Sequence, residues 1–234
     1  DVEEQLGANI AKLVKGIEKM SAINNFQAFN KYPQNKQQTD NIRKMLLAMV
    51  DDVRVVLIKL AERLCILRTA GHLPETIRQQ IATEAMEIYA PLANRLGIGA
   101  IKWEMEDLAF RYLHPEEYKA IAKGLKATRI DRDNFVNTIV EQLNHKIQAT
   151  GAPHFAVYGR SKHIHSIYKK MTRKNVSLKE VYDATAVRVL VDNNERCYEV
   201  LGMVHSLWKQ IPAEFDDYII NPKLNGYQSL HTAV

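Results

Sequence analysis

The feature that most constrains this fold is a change of texture near residue 150. Before it, apolar residues recur at helical spacing, beginning with Ile10, Leu13, Val14 and Ile17. After it, Gly151 and Pro153 break the pattern, and short β-prone runs alternate with helical ones. That order predicts a helical bundle followed by a mixed α/β domain.

The helical part punctuates itself. Asn24 to Thr39 is polar and reads as a loop. Thr39 or Asp40 is the expected cap of a long helix to about Arg68, which Gly71 stops. A helix from about Pro74 to Tyr89 follows, with Pro91 and the Gly97/Gly99 pair as breaks. Ile101 to Leu113 is helical, Pro115 suits the first position of another helix, and Asp131 or Asp133 is the expected cap of one ending near Thr150. Beyond the break, the pattern predicts a strand at Phe155–Tyr158, a helix over 161–173, a strand at Thr185–Val191 and a helix over Asn194–Gln210. A loop over 212–226 and the start of a strand at Ser229–Val234 complete it.

Composition narrows the class. The chain has 234 residues, 46% hydrophobic and 25% charged, which excludes wholesale disorder and low-complexity polymers. No apolar run reaches the roughly 18–20 residues of a membrane span, so no membrane partner is expected. The opening DVEEQLGANI is acidic and polar, unlike a signal peptide. The absence of a starting Met is the expectation for an internal fragment. Cys65 and Cys197 are too few for a disulfide framework, and a reducing cytoplasm is the expected location. A net charge of +5 suits phosphate-bearing ligands.

The richest segment is YGRSKHIHSIYKKMTRK, residues 158–174. No acidic residue lies between Glu141 and Glu180, and Arg160, Lys162, Lys169, Lys170, Arg173 and Lys174 gather in that gap. On a helix, Lys162, Ser166, Lys169, Lys170 and Arg173 share one face, while Ile164, Ile167, Tyr168 and Met171 share the other. Gly159 is expected to let the backbone approach an anion at the helix start. The arrangement suits a polyphosphate, and equally a solvated basic face. RNA binding is a third option, weakened by the lack of interleaved aromatics. His163 and His165 do not face each other on a helix, which argues against a metal pair.

Asp183, just before the strand TAVRVLV, is positioned as a Mg²⁺ ligand or as a capping residue. In the segment NPKLNGYQSLHT, Asn225-Gly226 signals a turn, and Tyr227 offers an aromatic face to a base. Gln228, Ser229 and His231 alternate along the strand beyond it. A plain hairpin turn with a half-buried Tyr fits the same residues.

These motifs together resemble the RelA/SpoT family, enzymes that make and degrade the alarmone (p)ppGpp. GRSKHIHSIYKKM (159–171) is similar to the family's synthetase G-loop and following helix, YDATAVRV (182–189) to its metal-binding strand, and NGYQSLHT (225–232) to its guanine-binding loop. Upstream, RKMLLAMVDDVRVVLIKLAERL (43–64) and YAPLANRLGIGAIKWEMEDLAFRYLHPEEYK (89–119) are similar to its hydrolase region and connector. The resemblance implies a helical hydrolase-like bundle over 1–112, a helical connector over 113–152, and the first part of a nucleotidyltransferase-like synthetase domain over 153–234. It also implies transfer of pyrophosphate from ATP to the 3′-hydroxyl of GDP or GTP. On that likeness Arg160, Lys162 and Lys170 act catalytically by holding ATP phosphates with Ser166 beside them. Asp183 binds Mg²⁺, Tyr227 stacks on guanine, and Lys223, Asn225, Gln228 and His231 line the acceptor pocket. Ribosome and uncharged-tRNA contacts belong to segments outside these residues.

Departures refine the likeness. The hydrolase His-Asp motif is expected upstream of Asp1, and a second catalytic carboxylate beyond Val234, so residues 1–234 alone are expected to be inactive. Active hydrolases read roughly KLADRLHNMRT where residues 59–69 here read KLAERLCILRT. Glu62 replaces the metal-binding Asp, and Cys65-Ile66 replaces an HN pair. Glu214-Phe-Asp-Asp217 is acidic where bifunctional members carry a basic signature, and Leu224 stands where Pro is usual. The expectation is a RelA-type synthetase with a degenerate hydrolase domain. The alternative is a regulatory module that binds nucleotide without chemistry.

Overall fold

A computed structural model describes residues 2–24, 52–125, 127–151 and 154–234. They fall into two compact units, Asp1–Lys119 and Ala120–Val234.

The first unit contains α1 (Val2–Leu6), α2 (Ala8–Asn24), α3 (Val53–Thr69), α4 (Glu75–Glu84), α5 (Ala90–Arg95) and α6 (Gly99–Leu113). The expected polar loop lies outside the described residues beyond Asn24. The expected caps Thr39 and Asp40 also lie outside the described residues, within which this helix runs from Val53 to Thr69. Asp52 caps it, its carboxylate accepting from the Arg54 amide at 3.0 Å and so satisfying a donor that a longer helix would have bonded internally. Pro91 does not break the chain as expected. Ala85–Tyr89 forms a wide π-turn, in which the Ala90 amide reaches back to the Ala85 carbonyl, and Pro91 enters the first turn of α5. A residue without an amide proton costs least there.

Val56, Leu60, Leu64 and Leu67 repeat at spacings of four, four and three along α3, and all are buried. They join Met20, Ile88, Tyr89, Leu92, Met105 and Ala109 in one core. Lys59 is buried among them, only 3% exposed. Its ammonium donates to Ser21 Oγ at 2.9 Å and pairs with Glu62 at 2.8 Å. Glu62 is thus an exposed ion-pair partner on α3. Among the described residues no helix is long and apolar enough to cross a membrane.

After α7 (Pro115–Gly124), the second unit holds α8 (Arg129–Ala149), β1 (Phe155–Ser161), α9 (Ile164–Lys174), β2 (Thr185–Val191), α10 (Asn194–Leu207), β3 (Asp216–Asp217) and β4 (Leu230–His231). Thr128, not Asp131 or Asp133, caps α8. Asp131 is the reciprocal partner of a capping box, accepting from the Thr128 amide at 2.9 Å. Val136, Leu143 and Ile147 form the buried stripe of α8, which packs on β1 and β2.

β1 and β2 pair antiparallel, from Phe155 opposite Val191 to Ser161 opposite Thr185. The strict alternation of half-buried and exposed positions along TAVRVLV gives this ribbon one packed face and one open face. β1 runs three residues past the expected Tyr158, so α9 begins only at Ile164. Gly159 therefore sits in mid-strand opposite Val187. A Cβ there would lie 2.2 Å from Val136 Cγ1. Its reason is close contact with α8, not approach to a ligand at a helix start. The second ribbon pairs Asp216 with His231 and Asp217 with Leu230; its first strand lies in a stretch expected as loop, and its second is Leu230 and His231. The strand expected from Ser229 to Val234 is reduced to those two residues.

Candidate functional site

The site begins where the β1–β2 ladder ends. The Lys162 amide donates to the Ala184 carbonyl at 2.8 Å, one step beyond the Ser161–Thr185 pair. That bond holds Lys162 against the short turn Tyr182–Ala184, which carries Asp183. Lys162 is not on the basic helix, as the helical wheel assumed, but in the extended link before it. Lys170 comes from the second turn of α9. The two ammonium groups meet on one carboxylate: Lys162 Nζ donates to Asp183 Oδ2, and Lys170 Nζ to Oδ1 at 2.6 Å.

The link is held from behind. Arg132 of α8 donates to the Lys162 carbonyl at 3.3 Å, and Arg129 Nη1 lies 3.1 Å from His163 Nδ1. His163 is the N-cap position of α9 and is buried. His165 is also buried, although the amphipathic pattern placed only apolar residues in the interior, and Ile167 is fully buried. Lys169 and Arg173 lie exposed on the same helix.

Charge balance follows the geometry. Partial burial works against ionisation of Asp183, but the hydrogen bonds from Lys162 and Lys170 outweigh it and hold the carboxyl below its ordinary range. Burial pushes the Lys162 ammonium down, against the pull of Asp183. At neutral pH the carboxylate is ionised.

Arg160 lies exposed on the open face of β1, opposite Ala186. Arg188 of β2, opposite Tyr158, is exposed on that face one diagonal step away, so two guanidinium groups flank the strand end. The sequence reading passed over Arg188, although period-two alternation in TAVRVLV places it opposite the packed valines. Ser166 is half-buried in the first turn of α9.

The second group of expected residues forms its own cluster. Asn225 Oδ1 accepts from the Tyr227 amide at 3.2 Å, and Gly226, at φ +76°, turns the chain. Asn225 thus helps to set the turn through its carbonyl oxygen. Tyr227 Oη lies 2.9 Å from His231 Nε2. Tyr218, which the sequence reading missed, stands edge-on to both rings, with centroids 6.2 Å from Tyr227 and 5.2 Å from His231. Lys223 Nζ lies 4.2 Å from the Tyr218 ring centre and 5.3 Å from that of Tyr227. Burial, reinforced by Lys223 and Arg188 and opposed by Asp216, holds the His231 imidazole below its ordinary value. Gln228 is exposed. Asp217 accepts from Tyr198 Oη at 2.8 Å and from the Ile219 and Ile220 amides at 2.9 Å each, so it fixes the loop that carries Tyr218. No local pattern announces Tyr218; the pairing of β3 with β4 brings it there.

Asp183 could supply one oxygen ligand to a divalent cation once its two ammonium partners find other anions. Asp183 is a hard oxygen donor, partly open to solvent, on which two unit positive charges already sit. Mg²⁺ is commonly held by one or two carboxylates completed by substrate phosphates and water. Among the described residues no cluster of three or more His, Cys, Asp or Glu forms a cage that would hold an ion without substrate.

Residues 1–99 match the HD domain family, and residues 159–234 match the region found in RelA / SpoT proteins. The whole chain aligns with a GTP pyrophosphokinase of Escherichia coli K12 at 48% identity, spanning 31% of that protein. Over its whole length the chain is similar to RelA/SpoT proteins, and residues 159–234 carry the region found in them. A GTP pyrophosphokinase of Haemophilus influenzae is 49% identical, also over the whole chain and 31% of its own length. The bifunctional (p)ppGpp synthase/hydrolase SpoT of E. coli K12 is 43% identical over 32% of its length. The chain thus spans about a third of the length of the relatives it matches. Its helical unit carries the HD match, and the α/β unit carries the RelA/SpoT match, in the order read from the sequence.

Proposed function

We propose that the protein is a cytoplasmic, Mg²⁺-dependent GTP pyrophosphokinase of the RelA type, acting in the stringent response. In this reading the β,γ-pyrophosphoryl group of ATP passes to the 3′-oxygen of GDP or GTP. The bond between the α–β bridging oxygen and Pβ breaks, AMP leaves, and (p)ppGpp forms. The observation that carries the reading is the convergence of Lys162 and Lys170, from two different elements, on Asp183 beside the Arg160 face.

The residues divide the work by position. Arg160, Lys162 and Lys170 neutralise and orient the triphosphate, which is most of what an enzyme contributes to phosphoryl-type transfer. Ser166 lies beside them as a hydroxyl donor. Mg²⁺, when bound through Asp183, adds charge neutralisation on the phosphate oxygens. The Tyr227 ring offers a stacking face to guanine, Lys223 offers a cation to the acceptor's phosphates, and His231 holds Tyr227 in place. Hydrolysis of (p)ppGpp is absent in this reading, because Glu62 is taken up by Lys59 and Ile66 cannot replace a polar amide. Ribosome and uncharged-tRNA contacts stay part of it, through segments outside these residues.

The test is turnover by a chain carrying these residues at the relatives' full length, supplied with ATP, GDP and Mg²⁺. AMP and a tetraphosphorylated guanosine should appear in equal amounts and vanish in Asp183→Asn. Formation of ADP instead of AMP would reject the pyrophosphoryl reading. Nucleotide binding without product would favour a regulatory module.

A further inference from the structure

The same carboxylate that suits a metal is already occupied by this chain's own cations. Both oxygens of Asp183 accept from an ammonium group, Lys162 on Oδ2 and Lys170 on Oδ1. The two lysine side chains are mostly buried, 20% and 17% exposed, while Asp183 is 44% exposed. The lysines are therefore anchored, and the open side of the carboxylate faces solvent. A divalent cation approaching from that side meets two like charges within hydrogen-bond range of its ligand. A triphosphate meets the opposite situation: it brings several anionic oxygens, better partners for an ammonium than one shared carboxylate. Lys162 is tethered through its amide to Ala184. Lys170 is fixed by α9, whose Ile167 is fully buried one turn before it. The ammonium groups can therefore swing from carboxylate to phosphate by side-chain rotation, with the backbone in place.

We infer that Lys162 and Lys170 form an internal counterion pair that keeps divalent metal off Asp183 until nucleotide phosphates draw both ammonium groups away. Metal and triphosphate then enter the site together, and neither is held well alone. The inference rests on the proposed role of Asp183 as a metal ligand and adds the order of binding. It gives the two lysines two partners in succession: the carboxylate in the empty site and the phosphates in the filled one. It also means that the empty site does not gather free metal ions.

The test uses Mn²⁺ as an EPR-visible probe, titrated into the protein without nucleotide. The wild type should bind it weakly. Lys170→Met and Lys162→Met should each tighten Mn²⁺ binding by about tenfold or more, the scale of one charge-assisted hydrogen bond released. Arg173→Met, which removes an exposed charge from the same helix, should change it much less. A second measurement covers the possibility that a lysine variant fails to fold. With EDTA present, Asp183→Asn should bind a β,γ-methylene ATP analogue more tightly than the wild type, because its lysines are released. Equal Mn²⁺ affinity in wild type, Lys170→Met and Lys162→Met would overturn the inference, and if AMP is still formed from ATP and GDP the enzymatic reading survives it. An equal gain from Arg173→Met would reduce the effect to general electrostatics and also overturn it. Failure of every variant to bind Mn²⁺ would remove Asp183 as a metal ligand, and the inference with it.

Discussion

The two units use their interiors differently. Among the described residues of the helical unit the core is almost wholly apolar: α3 places Val56, Leu60, Leu64 and Leu67 in it, and the buried cation Lys59 is tied off by Ser21 and Glu62. In the α/β unit the fully packed apolar residues are few, chiefly Val136, Leu143, Ile147 and Ile167, and they share the interior with Arg132, His163 and His165. That second interior spends its contacts on aiming polar groups. Arg132 and, through His163, Arg129 hold the link that presents Lys162, and Gly159 lets the ribbon close on α8. The difference separates stability from chemistry: one unit is stabilised mainly by apolar burial, while the other holds charged and aromatic groups near one another in the open.

The largest expected effect tests the first half of this contrast. Leu60→Ala should cost the helical unit about 2–5 kcal/mol in a denaturation curve, the range for emptying a well-packed core site. Affinity for a non-hydrolysable ATP analogue should be unchanged as long as the α/β unit stays folded. A parallel loss of affinity would break the separation. Next, Arg160→Ala should weaken that analogue by about 1.5–3 kcal/mol, the worth of hydrogen bonds to a charged group. Arg173→Ala should weaken it much less in the same calorimetric titration. Equal losses would mean a diffuse basic surface and no aimed site.

The acceptor cluster should respond on a slightly smaller scale. Tyr227→Ala should cost GDP about 1–3 kcal/mol, as for the loss of a stacking partner. Tyr218→Ala should follow in the same direction, because its edge contacts set the Tyr227 and His231 rings. Tyr227→Phe keeps the ring and loses only the bond to His231, so about 1 kcal/mol is expected. If Phe proved as damaging as Ala, the hydroxyl and not the ring face would be the contact.

The smallest effect is in pH. His231 is held below the ordinary imidazole value of 6.5, first by burial and then by Lys223. Its folded form resists protonation, so its contribution is complete above that value and is lost as pH falls through the lowered one. Stability of the α/β unit should therefore decline as pH falls from above 6.5 through the lowered value. His231→Asn should flatten that slope.

How much of this was legible in the sequence differs between the units in the same way. Helix existence and the apolar stripes follow from local periodicity, and α3, α6 and α8 end close to where the pattern places them. Starts and breaks are harder, because Asp52 and Thr128 cap through side-chain bonds that compete with other nearby candidates, and a π-turn absorbs Pro91. Within the site, Lys162, Lys170 and Asp183 were named, but the helical wheel explained their meeting by the wrong element: a ladder bond from Lys162 to Ala184 does it. Arg188 was readable from strand alternation. Tyr218 was not, since only pairing of β3 with β4, residues 216–217 with 230–231, brings it beside Tyr227.

The most direct test of the account is where nucleotides protect the chain. Hydrogen exchange should be followed with and without a non-hydrolysable ATP analogue, GDP and Mg²⁺ together. The account predicts slowed exchange in residues 160–171, in the turn holding Asp183 and in residues 217–231, with α3 and α6 unchanged. Protection confined to the helical unit, with the Lys162–Asp183–Lys170 region exchanging as before, would contradict it.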